Sequence, residues 1–195
     1  MHNISRLRRF VTGMTDLANV SDGDEQAMVS GSKILLADLI AKDNWLPGEY
    51  AAEGDTYRQY LLHCDPNQRF SVVSFVWGPG QTTPVHDHTV WGLVGMLRGA
   101  ETGQRFDVAD DGSLFPIATD LLEPGDIDIV SPALGDIHKV SNAFDDQTSI
   151  SIHVYGANIG AVNRHVYDLA SGNRTSFISG YSNTEVPNLW DLSLL

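Results

Sequence analysis

Two histidines separated by one residue are the side chains of this sequence best suited to hold a metal ion. His86 and His88 flank Asp87 in a stretch that runs from Gly80 to Gly99. Residues two apart on a strand point to the same face, so the two imidazoles would lie side by side and Asp87 would point away. Such a pair can clamp iron, zinc, copper or nickel. The alternative is a pair of surface histidines on a solvated strand.

A third histidine, His138, lies in a second stretch that contains two glycines. This stretch begins at Gly125, contains Pro132 and Gly135, and reaches His138 and Asn142. The first pair follows a Gly-x-Gly turn at residues 78–80, and an apolar strand from Trp91 to Leu97 follows that pair. These surroundings favour an interior metal site over a pair of solvent-exposed histidines at the surface.

The two stretches resemble the paired motifs of the cupin superfamily. In the first motif a glycine precedes five residues, His-x-His, a short gap, usually a glutamate, six residues and a second glycine. Gly80, His86, His88 and Gly99 match this motif, but Gly92 stands where the glutamate is usual. The second motif matches at both glycines, the proline, the histidine and the asparagine, with two single-residue insertions. The resemblance implies a metal-binding cupin jelly-roll barrel.

The missing glutamate narrows the resemblance. Cupins that keep it bind metal through three histidines and a carboxylate, whereas His86, His88 and His138 would leave the charge of the metal unbalanced. Such a site favours an anionic substrate, and a thiolate is one. A cupin with three histidines and no glutamate resembles the thiol dioxygenases of the cysteine dioxygenase family. The resemblance implies that the histidines bind Fe(II) and that both atoms of O2 are added to the sulfur of a small mercaptocarboxylate, giving a sulfinate.

A third set of polar residues supports the same resemblance. Ser151, His153 and Tyr155 alternate with apolar residues and share one face of a predicted strand. The interior of a buried apolar barrel rarely has such side chains, whereas a solvent face could have them. The triplet resembles the Ser-His-Tyr relay of the thiol dioxygenases. In that relay Tyr155 would act at the metal site, His153 would orient it and hold or pass a proton, and Ser151 would hold His153.

The carboxylate of such a substrate needs a cation, and the resemblance points to Arg164. It is similar to the carboxylate-binding arginine of the bacterial branch of the family, and a guanidinium can donate two parallel hydrogen bonds to a carboxylate. The alternative is a surface salt bridge. Gln59 resembles the glutamine of that branch, where the mammalian-type enzymes have an arginine. Because the register is open by one residue, Tyr60 is the alternative pocket residue.

Two departures from the mammalian-type enzymes bear on the cofactor and the substrate. The cysteine that those enzymes cross-link to the relay tyrosine falls near Gly92 or Leu93, and the single Cys64 lies in a different segment. We therefore expect no cysteine–tyrosine cross-link. The glutamine-type branch resembles 3-mercaptopropionate dioxygenase, whose substrate shares the thiol and carboxylate of cysteine but lacks the amine. The sequence leaves open which of the two thiols is the substrate.

Hydrophobic periodicity predicts a mainly β chain that follows two helices. Residues 4–19 and 24–42 have apolar residues at helical spacing, with Ser21 or Asp22 as the expected cap of the second helix. From Thr56 onward the pattern changes to short segments of period two. Strands are predicted over 57–63, 70–77, 85–96, 101–108, 114–122, 126–130, 138–141, 148–155 and 163–167.

Many short strands favour a sandwich or barrel, here a jelly roll of the cupin type with the helices packed outside. We predict a single domain over residues 1–195, with a helical part at 1–48 and a β-barrel at 56–195. Pro187 and Trp190 suggest that the tail after Thr175 is an extended segment laid over the barrel.

Composition and charge limit the partners. The 195 residues include 12 Lys and Arg against 25 Asp and Glu, a formal net charge of −13. That charge argues against nucleic acid and anionic membrane surfaces, but it does not exclude a small anion in a local pocket. No signal peptide or transmembrane span is recognisable, so we expect a cytoplasmic enzyme whose partners are a small thiol and O2.

Two other kinds of function stay open at this stage. One is a different metal-dependent cupin enzyme, an isomerase or a hydrolase, since zinc accepts three histidines plus water. The other is a cupin that binds a small molecule without catalysis, which would need no ordered relay.

Overall fold

The computed structural model describes residues 4–193, and within them two helices precede ten antiparallel strands. The helices are α1 (Ser5–Val20) and α2 (Glu25–Ile40). The strands are β1 (Arg58–Cys64), β2 (Ser71–Trp77), β3 (Gly92–Arg98), β4 (Glu101–Val108), β5 (Leu114–Leu122), β6 (Ile127–Val130), β7 (His138–Asn142), β8 (Ser149–Tyr155), β9 (Arg164–Tyr167) and β10 (Arg174–Phe177). The prediction of a mainly β fold with N-terminal helices is confirmed.

The strands form two facing sheets and a hairpin. One sheet has the order β1-β2-β8-β3-β6, the second has the order β5-β4-β7, and β9 pairs with β10. Val73, Phe75 and Trp77 of β2 pack in one cluster with Val140 of β7, so the two sheets share an interior. This arrangement agrees with the predicted jelly roll.

The helices cover the outer face of the five-stranded sheet. Ile150, Ile152 and Val154 of β8 lie in the same apolar cluster as Leu7 of α1 and Leu36 of α2. All seven residues of β8 are buried, because one face meets the helices and the other meets the second sheet. The alternative in which one face of this strand contacts solvent is therefore wrong.

Asp24 caps α2, which corrects the prediction of Ser21 or Asp22. The Asp24 side chain accepts a hydrogen bond from the backbone N–H of Ala27 at 3.1 Å. Asp22 and Gly23 instead form the turn between the helices with left-handed φ angles of 46° and 83°. Asp24 is thus the first residue beyond the turn whose side chain can reach the free N–H groups of the helix.

The prediction of one continuous strand over 85–96 is wrong in its first half. Residues 85–91 form no regular strand apart from a bridge at His86, and β3 begins at Gly92. The backbone N–H groups of His88 and Thr89 both donate to Oδ2 of Asp136, at 2.8 and 2.7 Å. Thr89 adopts a left-handed φ of 59°. At His88 and Thr89 the chain therefore wraps around a carboxylate instead of continuing as a strand.

The C-terminal tail covers the free edge of β1. The N–H of Ser182 donates to the carbonyl of Gln59 at 2.8 Å, and Asn183 Oδ1 accepts from the N–H of Leu61 at 2.8 Å. Leu189 is buried, whereas Trp190 is 60% exposed, so Leu189 and not Trp190 anchors the tail. The strand β10 was not predicted.

Across residues 4–193, neither helix has both the length and the apolar character that crossing a membrane requires.

Candidate metal centre

Three buried histidines converge in the interior between the sheets. One ligand atom each from His86, His88 and His138 lies within 4.8 Å of the others. Backbone hydrogen bonds fix two of them, because His86 N–H donates to His138 O at 2.9 Å and His138 N–H donates to His86 O at 3.0 Å. The wrapped loop adds His88, whose ring centre is 4.9 Å from that of His86 and 4.8 Å from that of His138.

Partners outside the cluster orient two of the rings. His86 Nδ1 donates to the carbonyl of Pro84 at 3.1 Å, and His88 Nδ1 bonds Oδ1 of Asp136 at 2.8 Å. Burial raises the pKa of Asp136, but hydrogen bonds from His88 and Thr89 outweigh it and hold the pKa below its usual value. With Nδ1 engaged as a donor, Nε2 of each ring keeps a free lone pair for a metal.

Burial keeps His86 and His138 in the form that binds metal. Burial, and next the neighbouring His88, lower the pKa of His86 to about 3. Burial likewise moves the pKa of His138 well below its usual value. Neutral imidazoles are the form that coordinates a cation. The three residues therefore fit a divalent transition metal, and the donor set alone suits iron, zinc, copper or nickel.

Asp87 points away from the cluster and joins it to β9. Its Oδ1 accepts from the N–H of His165 at 2.8 Å. Its Oδ2 bonds His165 Nδ1 at 2.9 Å and accepts from the Tyr167 hydroxyl at 2.8 Å. Because β9 begins at Arg164, this carboxylate ties the metal-binding loop to the strand that carries the arginine.

Ser151, His153 and Tyr155 form a continuous hydrogen-bonded chain that ends at the histidines. Ser151 Oγ lies 2.8 Å from His153 Nε2, and His153 Nδ1 lies 2.8 Å from the Tyr155 hydroxyl. The Tyr155 ring stacks on His88 with ring centres 5.4 Å apart. Burial lowers the pKa of His153 and raises that of Tyr155, so both groups are neutral at neutral pH.

The Tyr155 ring fills the space beside Gly92. A Cβ atom added at Gly92 would lie 2.7 Å from Tyr155 Cδ1 and 3.0 Å from Val130 Cγ2. A glutamate at this position would therefore displace the tyrosine.

Cys64 lies two strands away from Tyr155. Cys64 is paired with Ser71 of β2, and Ser71 is paired with Tyr155 of β8, so two strand spacings of about 5 Å each separate the backbone of Cys64 from that of Tyr155.

A cavity of about 290 Å³ adjoins the histidines, and both His86 and Arg164 line it. The Arg164 side chain is buried, with Nη2 donating to Ser179 Oγ at 2.6 Å and the guanidinium 4.8 Å from the centre of the Phe177 ring. Its Nε has no hydrogen-bond partner, and no salt bridge in the described residues includes it. The surface salt bridge alternative is therefore wrong, and a buried cation of this kind favours an anionic ligand.

Gln59 lines the cavity, and its Nε2 donates to the carbonyl of Gly180 at 2.6 Å. The alternative with Tyr60 in the pocket is wrong, because adjacent strand residues point to opposite faces. The Tyr60 hydroxyl donates to the carbonyl of Ala52 at 2.8 Å, on the helix side of the sheet.

Sequence reasoning missed two residues of this site. Tyr57 lines the cavity and stacks on Trp77 with ring centres 5.2 Å apart. Tyr57 stands two residues before Gln59, and residues two apart on a strand point to the same face. The sequence could therefore have placed Tyr57 in the same pocket as Gln59. Asp136, the hydrogen-bond partner of His88, stands two residues before His138. The same spacing could have placed it near the histidine cluster.

Asp136→Asn is expected to lower metal affinity by about 10–100-fold, because a neutral amide replaces the carboxylate that orients His88. Metal-binding titrations would measure the loss. The matched control is Asp120→Asn, which alters an exposed aspartate on β5. Equal affinities in Asp136→Asn and the unmodified protein would contradict an orienting role for Asp136.

Comparison with known proteins gives a limited match. No family model matches the chain. Cysteine dioxygenase type 1 of zebrafish (Danio rerio) is 27% identical over 109 residues, which are 53% of this chain and 54% of the zebrafish protein. The chain thus matches about half the length of that curated relative.

Solved structures similar to this chain include two small bacterial β proteins. A double-stranded β-helix domain protein of Klebsiella pneumoniae has a TM-score of 0.47 at 19% identity, covering 61% of this chain and 95% of that one. A cupin-2 domain of Rhodospirillum rubrum has a TM-score of 0.46 at 16% identity, covering 62% and 73% of the two chains.

Proposed function

We propose that this protein is a non-haem iron thiol dioxygenase that converts a small mercaptocarboxylate and O2 into a sulfinate. The observation that carries the proposal is one cavity lined both by His86 of the metal cluster and by Arg164, a buried cation without a carboxylate partner. A mercaptocarboxylate has a thiolate and a carboxylate a few bonds apart, so one such molecule can satisfy both groups. The partial similarity to cysteine dioxygenase type 1 supports the same reaction class.

The three clustered histidines would hold the Fe(II) ion. Bound Fe(II) would supply open coordination positions and redox chemistry that no side chain offers. The histidines add no negative charge, so a substrate thiolate finds no competing carboxylate among them. Their burial also keeps water away from the reacting sulfur.

Arg164 would bind the substrate carboxylate and fix the distance between that end and the metal cluster. The Phe177 ring and the Ser179 hydroxyl hold the guanidinium in place, so little side-chain freedom is lost on binding. Its free Nε–H gives the anion a charge-assisted hydrogen bond. This positioning leaves the thiol end of a short substrate facing His86.

Tyr155 would supply a neutral hydroxyl beside the reacting atoms. Its ring stacks on His88, and its oxygen is held by His153, which Ser151 holds in turn. Because burial raises its pKa, the phenol stays protonated and can donate or relay a proton without becoming a competing anionic ligand.

The cavity favours 3-mercaptopropionate over cysteine as the substrate. The ammonium group of cysteine would need an acidic partner, and no acidic side chain is among the described residues that line the cavity. Gln59 offers a neutral amide at this wall. These features support the 3-mercaptopropionate branch of the thiol dioxygenases.

Dioxygen uptake by the Fe(II)-loaded protein, with 3-mercaptopropionate and cysteine assayed side by side, tests the proposal. We expect sulfinate, identified by mass, and a larger kcat/KM for 3-mercaptopropionate. Tyr155→Phe is expected to lower kcat about 10–100-fold while thiol binding persists. No uptake with either thiol at full iron loading would overturn the proposal, and sulfinate from cysteine alone would overturn the substrate choice.

A further inference from the structure

The C-terminal tail just after β10 forms one wall of the cavity and contacts two of its polar side chains. Phe177 and Ser179 line the cavity together with Gln59 and Arg164. Arg164 Nη2 donates to Ser179 Oγ at 2.6 Å, and Gln59 Nε2 donates to the carbonyl of Gly180 at 2.6 Å. Two consecutive tail residues therefore each hold one polar side chain of the cavity.

The Ser179 hydroxyl joins these two contacts into one hydrogen-bonded bridge. A guanidinium can only donate, so Ser179 Oγ accepts from Arg164 and its own proton stays free for another acceptor. Ser179 Oγ donates that proton to the carbonyl of Gly180 at 3.2 Å, the same oxygen that accepts from Gln59. The bridge therefore has a fixed direction, from Arg164 through Ser179 to the Gly180 carbonyl.

Gly180 sets the direction in which that carbonyl points. Its φ angle is 63°, in the left-handed region that residues with a side chain rarely adopt. A Cβ atom added at Gly180 would meet no atom within 4 Å, so the backbone angle favours glycine here and lack of space does not. The N–H of Gly180 donates to the carbonyl of Gly160 at 3.0 Å, which ties the bridge to the segment before β9.

The two residues that follow Gly180 anchor the tail on both sides of the cavity. The N–H of Ser182 donates to the carbonyl of Gln59 at 2.8 Å, and Ser182 Oγ accepts from the N–H of Gln59 at 3.0 Å. The Tyr181 hydroxyl accepts from the N–H of Gly160 at 3.0 Å and donates to Asn158 Oδ1 at 2.6 Å. The position of Ser179 is therefore set by its neighbours, although its own side chain is exposed.

Arg164 depends on this bridge for the position of its guanidinium. Among the hydrogen bonds of residues 4–193, the one to Ser179 is the single bond that the guanidinium makes, and Nε has no partner. The Phe177 ring, 4.8 Å from the guanidinium carbon, limits its movement on one face only. Ser179 is thus the one polar contact of the described residues that fixes the guanidinium along the cavity wall.

We propose that Ser179 is the positioning residue of Arg164 and thereby sets the length of the mercaptocarboxylate that the site accepts. The inference rests on the proposed function for the two ends of the substrate, a sulfur at the histidine cluster and a carboxylate at Arg164. A guanidinium fixed at Nη2 holds the carboxylate at one distance from the cluster, so a chain of matching length reaches both groups best. Without the Ser179 hydroxyl the arginine can shift along the wall and accept shorter or longer chains.

Dioxygen uptake with thiols of increasing length tests the inference: mercaptoacetate, 3-mercaptopropionate and 4-mercaptobutyrate. The unmodified Fe(II)-loaded protein should prefer 3-mercaptopropionate to both others. Ser179→Ala should raise KM for 3-mercaptopropionate about 2–10-fold, the scale of ordering one flexible side chain on binding, and should reduce the preference for it by a similar factor. KM for 2-mercaptoethylamine, which has no carboxylate, should not change.

Two variants control for loss of the hydroxyl and for a general effect on this part of the chain. Ser179→Thr keeps the hydroxyl at an exposed position, so it should retain both the KM for 3-mercaptopropionate and the length preference. Ser176→Ala removes an exposed serine hydroxyl from the adjacent strand β10 and should alter neither quantity. Thermal melts followed by circular dichroism should show the same fold in all three variants.

Anaerobic calorimetric titration with 3-mercaptopropionate separates the positioning role from the dioxygenase reaction. Ser179→Ala should bind this thiol about 2–10-fold more weakly than the unmodified protein, whether or not O2 is consumed. Unchanged affinity and length preference in Ser179→Ala, an equal loss with 2-mercaptoethylamine, or the same losses in Ser179→Thr would each overturn the inference, while sulfinate formation would leave the proposed function standing. Selectively weaker binding in Ser179→Ala, in a protein that consumes no O2, would support the positioning role and refute the dioxygenase.

Discussion

Replacing His138 with alanine is expected to remove most of the iron from the Fe(II)-loaded protein and to abolish dioxygen uptake with thiols. The site has three imidazole nitrogen donors, and no carboxylate of the described residues joins them in the cluster. Without the His138 imidazole only two nitrogen donors remain. Two donors are too few to hold a labile divalent ion in competition with water. His86→Ala and His88→Ala should have the same effect. Iron per chain after desalting, measured by elemental analysis, gives the result directly.

His63→Ala is the matched control for this experiment. His63 is a half-buried histidine of β1 whose ring packs against Phe70, outside the cluster. It should keep full iron content, and circular dichroism should show that all four variants retain the β fold. Unchanged iron content in His86→Ala, His88→Ala and His138→Ala alike would refute the metal centre.

The pairing of His86 with His88 was predictable because its signal is local in sequence. Two imidazoles at a spacing of two share a face even though the chain is not a regular strand there, since His86 still forms β-bridges with His138 and Val166. Ser151, His153 and Tyr155 lie on one regular strand, so the same rule placed them together. Their burial was not predictable, because it depends on the second sheet, whose Val140 packs in one cluster with Tyr155.

The features that sequence reasoning missed depend on contacts between distant segments. Asp136 binds the loop of His88 across 48 positions of sequence, and that contact replaces the predicted strand with a turn. The choice between Gln59 and Tyr60 required the register of β1, which sequence alone left open by one residue.

Gly92 shows how one small residue serves two parts of the site. In sequence terms it marks a missing carboxylate ligand, and in the structure it makes room for the Tyr155 ring against β3. A larger residue would restore side-chain bulk at the expense of the stacking between Tyr155 and His88. Within residues 4–193, the lack of a carboxylate in the histidine cluster and the position of the Tyr155 ring beside it therefore both depend on Gly92.

Arg164→Met is expected to raise KM for 3-mercaptopropionate about 10–100-fold, while KM for 2-mercaptoethylamine, which has no carboxylate, should change little. Methionine keeps much of the apolar stem but removes the guanidinium, which lies over the Phe177 ring and which the anion would bind. The expected factor corresponds to the loss of about 1.5–3 kcal/mol from a charged hydrogen bond. Steady-state dioxygen uptake with both thiols gives the two KM values.

Two further variants separate substrate binding from a structural role for Arg164. Arg164→Lys keeps the charge but cannot donate two parallel hydrogen bonds, so its KM should lie between those of the unmodified protein and Arg164→Met. Arg174→Met alters an exposed arginine on the neighbouring strand β10 and should leave both KM values unchanged. Equal increases in KM for the two thiols in Arg164→Met would mean that the arginine supports the cavity wall and does not bind the carboxylate. A selective increase for 3-mercaptopropionate would instead tie the buried cation to the anionic end of the substrate.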